Sequence, residues 1–396
     1  MPRPGKSKPD KRIMGGREKV KVACIQAPQL VFNKEKQIKI ACDRIKEAGA
    51  NGAELVAFSE TYIPVFPAYY TGGYESDKEE WSLWNMGLWD NSIVIPSDDT
   101  DIIGQACKEA GVYCVMGVHE MSDEEASKTF YNTQIFFGKD GSIMGRHRKL
   151  MPTYTERTYW GNGDGSDLDV YKTDIGRIGG LICWEHHMLL VRVAQMLLGE
   201  EFHIANFPGT YSMWGKGERP NRTGIALSKN EEPYGFGCDN MVSIREYAFQ
   251  SGCFVLCAQG LLRDQDFESG YEQIKTSDHF NYEWANGGSC IVNPFMEFIG
   301  GPVINEDTIV YADCYANEIK AAKIYFDGIG HYSRPDVVKL FLDKNHNVNL
   351  NLTDAIGNPV AVKEPDSQSL KQISEEYEIK LQRLEALTDK IMNSQK

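Results

Sequence analysis

An apolar run that ends in a reactive side chain places the strongest constraint on this fold. Residues 178–182 are apolar, Cys183 follows them at once, and residues 188–199 have helical spacing. This pattern predicts a buried strand that turns sharply into a helix, and such strand-to-helix elbows expose nucleophiles. The free backbone N–H groups of the helix N-terminus are expected to lower the pKa of the Cys183 thiol. An inert core cysteine would give the same local pattern, so other residues must distinguish a reactive Cys183 from an inert one.

Two further strand ends carry polar side chains that suit a thiol-based site. A short apolar run over residues 55–58 leads to Glu60, and a predicted strand over residues 142–148 leads to Lys149. Taken alone, Glu60 is typical of a surface residue at a strand end. Lys149 belongs to the basic string 146–149, which is typical of a solvated face. Together with the cysteine, however, a glutamate and a lysine at separate strand ends are the components of a hydrolytic site.

Each of these three side chains has a role that follows from its chemistry. Cys183 is predicted to be the nucleophile, because a thiolate is strong enough to attack a reluctant carbon electrophile. Glu60 is predicted to take the thiol proton, pass it to the leaving group and then activate water. Lys149 and the backbone N–H of Trp184 are predicted to hold the negative charge that develops on the attacked group. We expect no metal and no organic cofactor, because the thiol supplies the covalent chemistry.

Other local patterns suggest different chemistry and are less favoured. His186 and His187 raise the alternatives of a cysteine–histidine pair or a metal site. No second cluster with metal-ligand spacing accompanies them, and the ten cysteines include no C-x-x-C pair. The glycine-rich stretch 161–165 lacks the lysine and hydroxyl residue of a phosphate-binding loop, so it is interpreted as a tight turn.

Several motifs in the expected order carry a resemblance to a known family. They are residues 147–153, 156–157, 160–166, 183–186, 206–209, 251–255 and 330–336. On these motifs the chain resembles the nitrilase superfamily of carbon-nitrogen hydrolases, and within it the nitrilase and cyanide-degrading branch. The resemblance implies an α/β fold, a four-layer α-β-β-α sandwich, and a catalytic triad of Glu60, Lys149 and Cys183. It also implies that Glu156 is a second carboxylate that orients Lys149.

The same resemblance implies a reaction. A nitrilase hydrolyses a nitrile to a carboxylic acid and ammonia through a thioimidate and then a thioester on the cysteine. An amidase or N-carbamoyl hydrolase of the superfamily, or a cyanide hydratase or dihydratase, is the alternative. A catalytically silent scaffold is disfavoured, because a binding protein does not need these three side chains at strand ends. For the substrate pocket we predict Phe66, Trp184 and His186, for which ordinary packing is the competing interpretation.

Alternating strand and helix patterns run along most of the chain. Strands are predicted over residues 20–26, 55–58, 113–118, 133–137, 142–148, 203–206, 254–258, 289–292 and 310–314. Helices are predicted over residues 34–49, 101–110, 188–199 and 241–249. Mixed strands with helices outside them fit the two-sheet sandwich that the resemblance implies.

The chain is predicted to have three parts. Residues 1–19 form a basic arm that we expect to be disordered, and residues 20–340 form the carbon-nitrogen hydrolase domain. Residues 341–396 form a C-terminal extension with an amphipathic helix that needs a partner surface. The resemblance implies a homo-oligomer, either a dimer or a larger spiral assembly, to which this extension contributes. Residues 210–237 are rich in glycine, proline and charged residues. The sequence leaves three interpretations of this segment open: a lid, an interface loop and a tolerated surface insertion.

Composition limits the partners and the compartment. The formal net charge of −14 argues against nucleic acid, because no sustained basic surface offsets it. No apolar stretch approaches the roughly 18 residues of a membrane span, and the N-terminus lacks the apolar segment of a signal peptide. Ten cysteines without a disulfide pattern favour a reducing compartment. We therefore expect a cytoplasmic enzyme that acts on a small nitrile and binds no membrane.

Overall fold

The computed structural model describes residues 11–75, 77–123, 127–209, 218–220, 227–229, 239–267, 270–278 and 285–346. By its internal contacts the chain divides into two units, residues 1–345 and residues 346–396. The helix predicted for the C-terminal extension, and most of the segment 210–237, lie outside the described residues. Their predicted roles stay predictions.

The described chain contains fourteen strands and seven helices. The strands are β1 (Lys19–Gln26), β2 (Leu55–Ala57), β3 (Tyr113–Met121), β4 (Phe130–Phe137), β5 (Ile143–Arg148), β6 (Tyr171–Thr173), β7 (Gly176–Ile182), β8 (Phe202–Phe207), β9 (Glu218–Pro220), β10 (Leu227–Lys229), β11 (Phe254–Gln259), β12 (Gly287–Val292), β13 (Phe298–Ile304) and β14 (Thr308–Tyr315). The helices are α1 (Lys34–Ala50), α2 (Lys78–Asn91), α3 (Asp98–Ala110), α4 (Leu189–Leu198), α5 (Asp239–Ser251), α6 (Glu272–Lys275) and α7 (Ala316–Tyr325). Every strand and helix that was predicted within the described ranges has a counterpart here, whereas α2, α6, α7, β6, β9, β10 and β13 were not predicted.

Two six-stranded sheets form the centre of the fold. One has the order β14-β1-β2-β3-β4-β5 and the other β13-β12-β11-β8-β7-β6. Strand β1 shows how the sequence fixes their arrangement, because successive side chains of a strand point to opposite faces. Val20 and Val22 pack into the core between the sheets, whereas Ala23 and Ile25 pack outward against α1 and α3. In the other sheet, side chains of β8 and β11 face α4 and α5 in the same manner. The predicted four-layer α-β-β-α sandwich is confirmed.

The part of the N-terminal arm that the structure describes belongs to the folded body. Residues 14–16 form a short 3-10 turn, and the Met14 side chain is buried. The Met14 N–H donates to Glu201 Oε1 at 2.8 Å, and Arg17 pairs with Glu54 at 2.7 Å. The predicted disorder therefore does not extend to residues 14–19, because one apolar side chain and one ion pair fix this stretch. Residues 1–10 lie outside the described part.

Candidate active site

Three of the predicted site residues follow the ends of strands, as expected. Glu60 comes three residues after β2, Lys149 directly follows β5, and Cys183 directly follows β7. Their side chains are all buried, with residue exposures of 0%, 1% and 6%. Charged groups are rarely buried so completely unless they are paired. Each charged side chain at this edge of the two sheets is therefore expected to have an ionic or hydrogen-bonding partner.

Hydrogen bonds join the two sheets beside these residues. The Glu60 N–H donates to the Phe207 carbonyl at 3.3 Å, which connects the end of β2 to the end of β8. The Asn206 side-chain amide donates to the Phe58 carbonyl across the same gap. Gln134 on β4 in turn donates to the Asn206 side-chain oxygen. These contacts hold the loop of Glu60 against the sheet that carries the cysteine.

Lys149 lies between two buried carboxylates. Its Nζ is 2.8 Å from Glu60 Oε1 and 2.7 Å from Glu156 Oε2. Glu156 Oε2 also accepts the Thr153 N–H at 2.7 Å, and Glu60 Oε1 accepts the Asn132 amide at 2.6 Å. The other oxygen of Glu60, Oε2, is buried and has no hydrogen-bond partner in the described part of the chain. Glu60 thus has one oxygen held by the ammonium and one oxygen available.

The pKa of the Cys183 thiol is shifted in the direction opposite to the one predicted from the sequence. Burial raises the pKa of Cys183 well above its usual value, and the Glu60 carboxylate raises it further against the opposing charge of Lys149. The expected lowering of the Cys183 pKa was wrong for a structural reason. A 3-10 turn, Cys183–His187, separates the thiol from α4, which begins only at Leu189. The thiol is therefore protonated at rest and needs a base.

Glu60 has the properties that such a base needs. Burial raises the pKa of its carboxyl to about 7, although Lys149 acts to lower it. A base is most effective when its pKa lies near the working pH. For Lys149, burial acts to lower the pKa, but the carboxylates of Glu156 and Glu60 outweigh this and raise it well above its usual value. Lys149 therefore stays charged as a fixed cation in the site.

Cys183 has a backbone conformation that few non-glycine residues adopt. Its φ is 51°, in the left-handed region, which costs about 1–3 kcal/mol. Glu185 closes the turn from the other side, because its Oε2 accepts the Ile182 N–H at 2.7 Å. Strain of this kind persists only where surrounding contacts determine the conformation. Cys183 is thus held in place by the contact of Glu185 with the preceding residue and by the contact of His186 Nδ1 with its own carbonyl.

Glu185 also connects the cysteine turn to the lysine strand. Its Oε1 accepts the Leu150 N–H at 2.8 Å, and its Oε2 lies 3.0 Å from His147 Nε2. Burial acts to lower the pKa of His147, but Glu185 and Asp167 raise it to about 10. Burial acts to raise the pKa of Glu185, but His147 and the two backbone N–H groups lower it. The sequence analysis missed this buried pair. The available signal was a glutamate three residues after Ile182, because a glutamate in that position can accept the backbone N–H that precedes a helical turn.

Replacing Glu185 by glutamine is expected to destabilise the protein by about 3 kcal/mol, because two backbone donors and one cation lose their buried anion. The amide would present N–H groups to one of those donors. Urea unfolding at pH 7 measures the change. Glu246→Gln is the matched control, since the Glu246 side chain is 52% exposed and a surface change costs under about 0.5 kcal/mol. An equal effect of the two substitutions would contradict a structural role for the Glu185–His147 pair.

The three predicted substrate-binding residues lie in three different places. Phe66 is buried, with its ring 5.1 Å from Tyr69 and 5.9 Å from Trp160, and Trp160 in turn lies 6.0 Å from Lys149 Nζ. Phe66 therefore belongs to an aromatic wall beside the lysine. Trp184 is partly exposed and packs on Tyr154, at a groove of about 290 Å³.

His186 does not line an open pocket. It is fully buried, and its Nδ1 contacts the Cys183 carbonyl at 2.7 Å. The prediction of His186 as a substrate contact is therefore corrected. The side chain turns inward because the 3-10 turn places residue 186 over the carbonyl of residue 183. Tyr69, which the sequence analysis did not select, lies near enough to Glu60 and Cys183 for burial and both of their charges to raise its pKa.

The described residues offer no evident metal site and no disulfide. No group of three or more His, Cys, Asp or Glu residues is placed to hold a metal ion within the described ranges. All nine cysteines of those ranges are free and buried. No helix of the described ranges is both long and apolar enough to cross a membrane.

Comparisons with known proteins identify the family. The carbon-nitrogen hydrolase family matches residues 21–324. A protein named Nitrilase 2, from an unknown prokaryotic organism, is 34% identical over 332 residues, which cover 84% of this chain and 95% of that protein. An aliphatic nitrilase from Sinorhizobium fredii (strain HH103) is 32% identical, with 82% and 96% covered. The chain belongs to the carbon-nitrogen hydrolase family, the nitrilase superfamily.

Solved structures agree on the fold. A carbon-nitrogen hydrolase from Helicobacter pylori G27 superimposes with a TM-score of 0.59 at 17% identity, covering 80% of this chain and 96% of that one. At such low identity the likeness bears on the fold alone. The family match and the relatives named nitrilase make this protein a hydrolase that acts on carbon–nitrogen bonds.

Proposed function

We propose that this enzyme is a nitrilase, which converts a nitrile and two water molecules into a carboxylic acid and ammonia on Cys183. The observation that carries the proposal is the arrangement of Glu60. One of its oxygens is held by Lys149, and the other is buried and unpaired, while its charge acts on the Cys183 thiol. A base with a free oxygen, a fixed cation and a strained thiol are together what attack on an inert C≡N bond requires.

The first half-reaction forms the covalent intermediate. Glu60 takes the Sγ proton, the sulfur attacks the nitrile carbon, and one π bond of the C≡N group breaks. The nitrogen then takes the proton from Glu60, which gives a neutral thioimidate. Lys149 stabilises the negative charge on that nitrogen during the attack, with the backbone N–H of Trp184 as a second donor. The removal of one such donor typically costs on the order of 100-fold in rate or more.

The second half-reaction uses two waters. Glu60 takes a proton from the first water as its oxygen adds to the thioimidate carbon, and the nitrogen receives that proton. The new hydroxyl group then loses its proton to the nitrogen through Glu60, ammonia leaves, and a thioester remains on Cys183. A second water, activated in the same way, breaks the C–S bond, releases the acid and returns the proton to the sulfur. If the tetrahedral intermediate expels the sulfur instead of ammonia, the product is an amide.

Two relatives whose names refer to nitrile hydrolysis support this choice within the superfamily. An amidase or N-carbamoyl hydrolase would use the same three side chains. It would differ in the substrate it accepts. A cyanide hydratase would stop at the amide. The aromatic wall of Phe66, Tyr69 and Trp160 beside Lys149 favours a nitrile with an organic substituent over cyanide itself.

The experiment that tests the proposal offers the purified enzyme aliphatic, aryl and arylaceto-nitriles, cyanide and the matching amides. Ammonia release and product mass are measured. We expect acid and ammonia from an organic nitrile, with the matching amide inert. Turnover of amides or N-carbamoyl compounds alone would reject the nitrilase assignment in favour of that branch of the family. Exclusive formation of amide would reject the thioester half of the mechanism.

We also propose that the enzyme is a cytoplasmic homo-oligomer. The support for a reducing compartment is the nine free, buried cysteines of the described ranges. The support for an oligomer is the exposed apolar surface of α4, where Leu189 and Leu190 are 72% and 70% exposed. Apolar surface of this kind commonly marks a protein interface. Light scattering on the same preparation tests the assembly, and a monomeric mass would reject it.

A further inference from the structure

Four buried polar side chains form a chain of contacts beneath the nucleophile, and the proposed chemistry uses none of them. His186 Nδ1 lies 2.7 Å from the Cys183 carbonyl oxygen, and His186 Nε2 lies 2.8 Å from His203 Nε2. His203 Nδ1 lies 2.8 Å from Glu200 Oε2. The Tyr247 hydroxyl donates to the other Glu200 oxygen. The series begins on α5 and ends on the backbone of the catalytic cysteine.

The end of this series fixes the direction of its hydrogen bonds. A carbonyl oxygen only accepts, so His186 Nδ1 must carry the hydrogen. In a neutral His186 the other nitrogen, Nε2, is then an acceptor, so His203 Nε2 must donate to it. His203 Nδ1 finally faces Glu200 Oε2. Either this carboxyl is protonated and donates, or His203 is a cation and Glu200 an anion.

Burial favours the neutral arrangement. It raises the pKa of Glu200 to about 8, and it lowers the pKa of His203 well below its usual value, with the Arg192 cation adding to the lowering. Five titratable, charged or polar groups face the series from α4, β5, the cysteine turn and the residue before β11. They are Arg192, Gln195, His147, Glu185 and Cys253. Arg192 and His147 both act against a charged His203, which agrees with a protonated Glu200.

We propose that Glu200 is a positioning residue, whose proton orients a one-way series of hydrogen bonds through His203 and His186 to the carbonyl of Cys183. The consequence for catalysis follows from the planar peptide bond. The Cys183 carbonyl and the Trp184 N–H belong to one rigid plane and point in opposite directions. A contact that fixes the carbonyl therefore also fixes the N–H. That N–H is the second donor to the developing charge in the proposed function, on which this inference rests.

The series of hydrogen bonds is expected to be disrupted at alkaline pH. When Glu200 loses its proton, near pH 8 by its raised pKa, its carboxylate can only accept. His203 then changes tautomer, so that its hydrogen lies on Nδ1 and is donated to Glu200. Its Nε2 lone pair then faces the Nε2 lone pair of His186. The contact that holds the Cys183 carbonyl is weakened. A glutamine at position 200 has no such limit, because its amide N–H replaces the carboxyl proton and its oxygen still accepts from Tyr247.

The test compares Glu200→Gln, Glu200→Leu and the wild-type enzyme in two measurements. The first needs no substrate: ring ¹⁵N NMR of histidine-labelled protein at pH 7 reports which nitrogens carry hydrogen. We expect His186 as the Nδ1–H form and His203 as the neutral Nε2–H form, both retained with glutamine. The second is the pH profile of kcat and KM on the nitrile that the enzyme turns over. We expect Glu200→Leu to lower kcat on the order of 100-fold with little change in KM.

Relative to Glu200→Leu, glutamine is expected to restore kcat, and it is expected to remove the loss of activity that the proposal predicts for the wild type above about pH 8. A cationic His203, or a Glu200→Gln enzyme as impaired as Glu200→Leu, would overturn the proposal. If Glu200→Leu does not fold, the glutamine variant and the NMR spectra still test the role of the Glu200 proton. If no nitrile is turned over, the proposed function fails, while the NMR measurement tests the series independently. Glu201→Gln is the matched control, because this neighbouring carboxylate binds the Met14 and Arg177 N–H groups instead.

Discussion

Replacing Cys183 by alanine is expected to abolish nitrile turnover and to leave the fold intact. Loss of a catalytic nucleophile typically lowers kcat by on the order of 10⁴-fold or more, because covalent attack has no substitute. Stability should change little, since the residue keeps its left-handed backbone and the Lys149 ion pairs do not involve the sulfur. The measurements are kcat on the best nitrile and the free energy of unfolding in urea.

Cys253→Ala is the matched control for this substitution. Cys253 is also a buried, free cysteine, but it precedes β11 and has no place in the proposed chemistry. Both variants delete one buried sulfur, so both are expected to lose a similar, small free energy of unfolding of about 1 kcal/mol. Only Cys183→Ala should lose turnover. Residual nitrile hydrolysis by Cys183→Ala, at a rate comparable with the Cys253→Ala enzyme, would mean that another residue is the nucleophile.

The sequence located these catalytic candidates because each one lies at the end of a short apolar strand. The runs 55–58 and 178–182 and the paired strands before Lys149 are local patterns, and the structure has strands at all three. Such patterns determine where the chain leaves a sheet. The sequence alone does not determine which strand ends meet, so the contact of Glu60 with Lys149, 89 residues away, rested on the resemblance.

Properties that depend on distant neighbours were not predictable in this way. The direction of the Cys183 pKa shift depends on how deeply the thiol is buried, and the sequence indicated only a nearby helix. His147 looked like part of a solvated basic string, yet Glu185 and Asp167 neutralise it in the interior. His186 looked like a pocket residue, yet the turn directs it to a carbonyl. In each of these cases burial decides the role, and burial is set by the meeting of elements far apart in sequence.

Replacing Lys149 by methionine is expected to damage both stability and activity. Methionine fills most of the volume but leaves Glu60 and Glu156 without the ammonium that lies 2.8 and 2.7 Å from them. Removing one partner of a buried ion pair costs about 3–5 kcal/mol, because the remaining charge has neither water nor a counter-ion. Turnover should fall on the order of 100-fold or more, since the developing charge on the nitrogen loses its main donor.

The loss of stability in Lys149→Met has a predictable dependence on pH. In the wild type, burial already raises the pKa of Glu60 to about 7 against the opposing effect of Lys149. Without the lysine this pKa rises further above the unfolded value of about 4.3, so folding favours the protonated carboxyl. Both proteins lose stability through Glu60 as the pH rises from the unfolded value to about 7, but only the variant continues to lose it above that pH, up to its own higher folded pKa. The cost of the substitution is therefore smallest near pH 5 and grows above about pH 7. Urea unfolding at about pH 5 and about pH 9 measures the difference.

Two further variants make the Lys149 experiment specific. Lys39→Met removes a lysine whose side chain is 75% exposed and paired with Asp43, so its effect is expected to stay below about 0.5 kcal/mol at both pH values. The double variant Glu60→Gln with Lys149→Met removes one of the two carboxylates that the loss of Lys149 leaves without a counter-ion. It should recover part of the stability but no activity, because the base is then lost as well. If Lys149→Met were as stable as the wild type at about pH 9, the lysine would not be the counter-ion of the two buried carboxylates, and its assignment as the fixed cation of the site would fail.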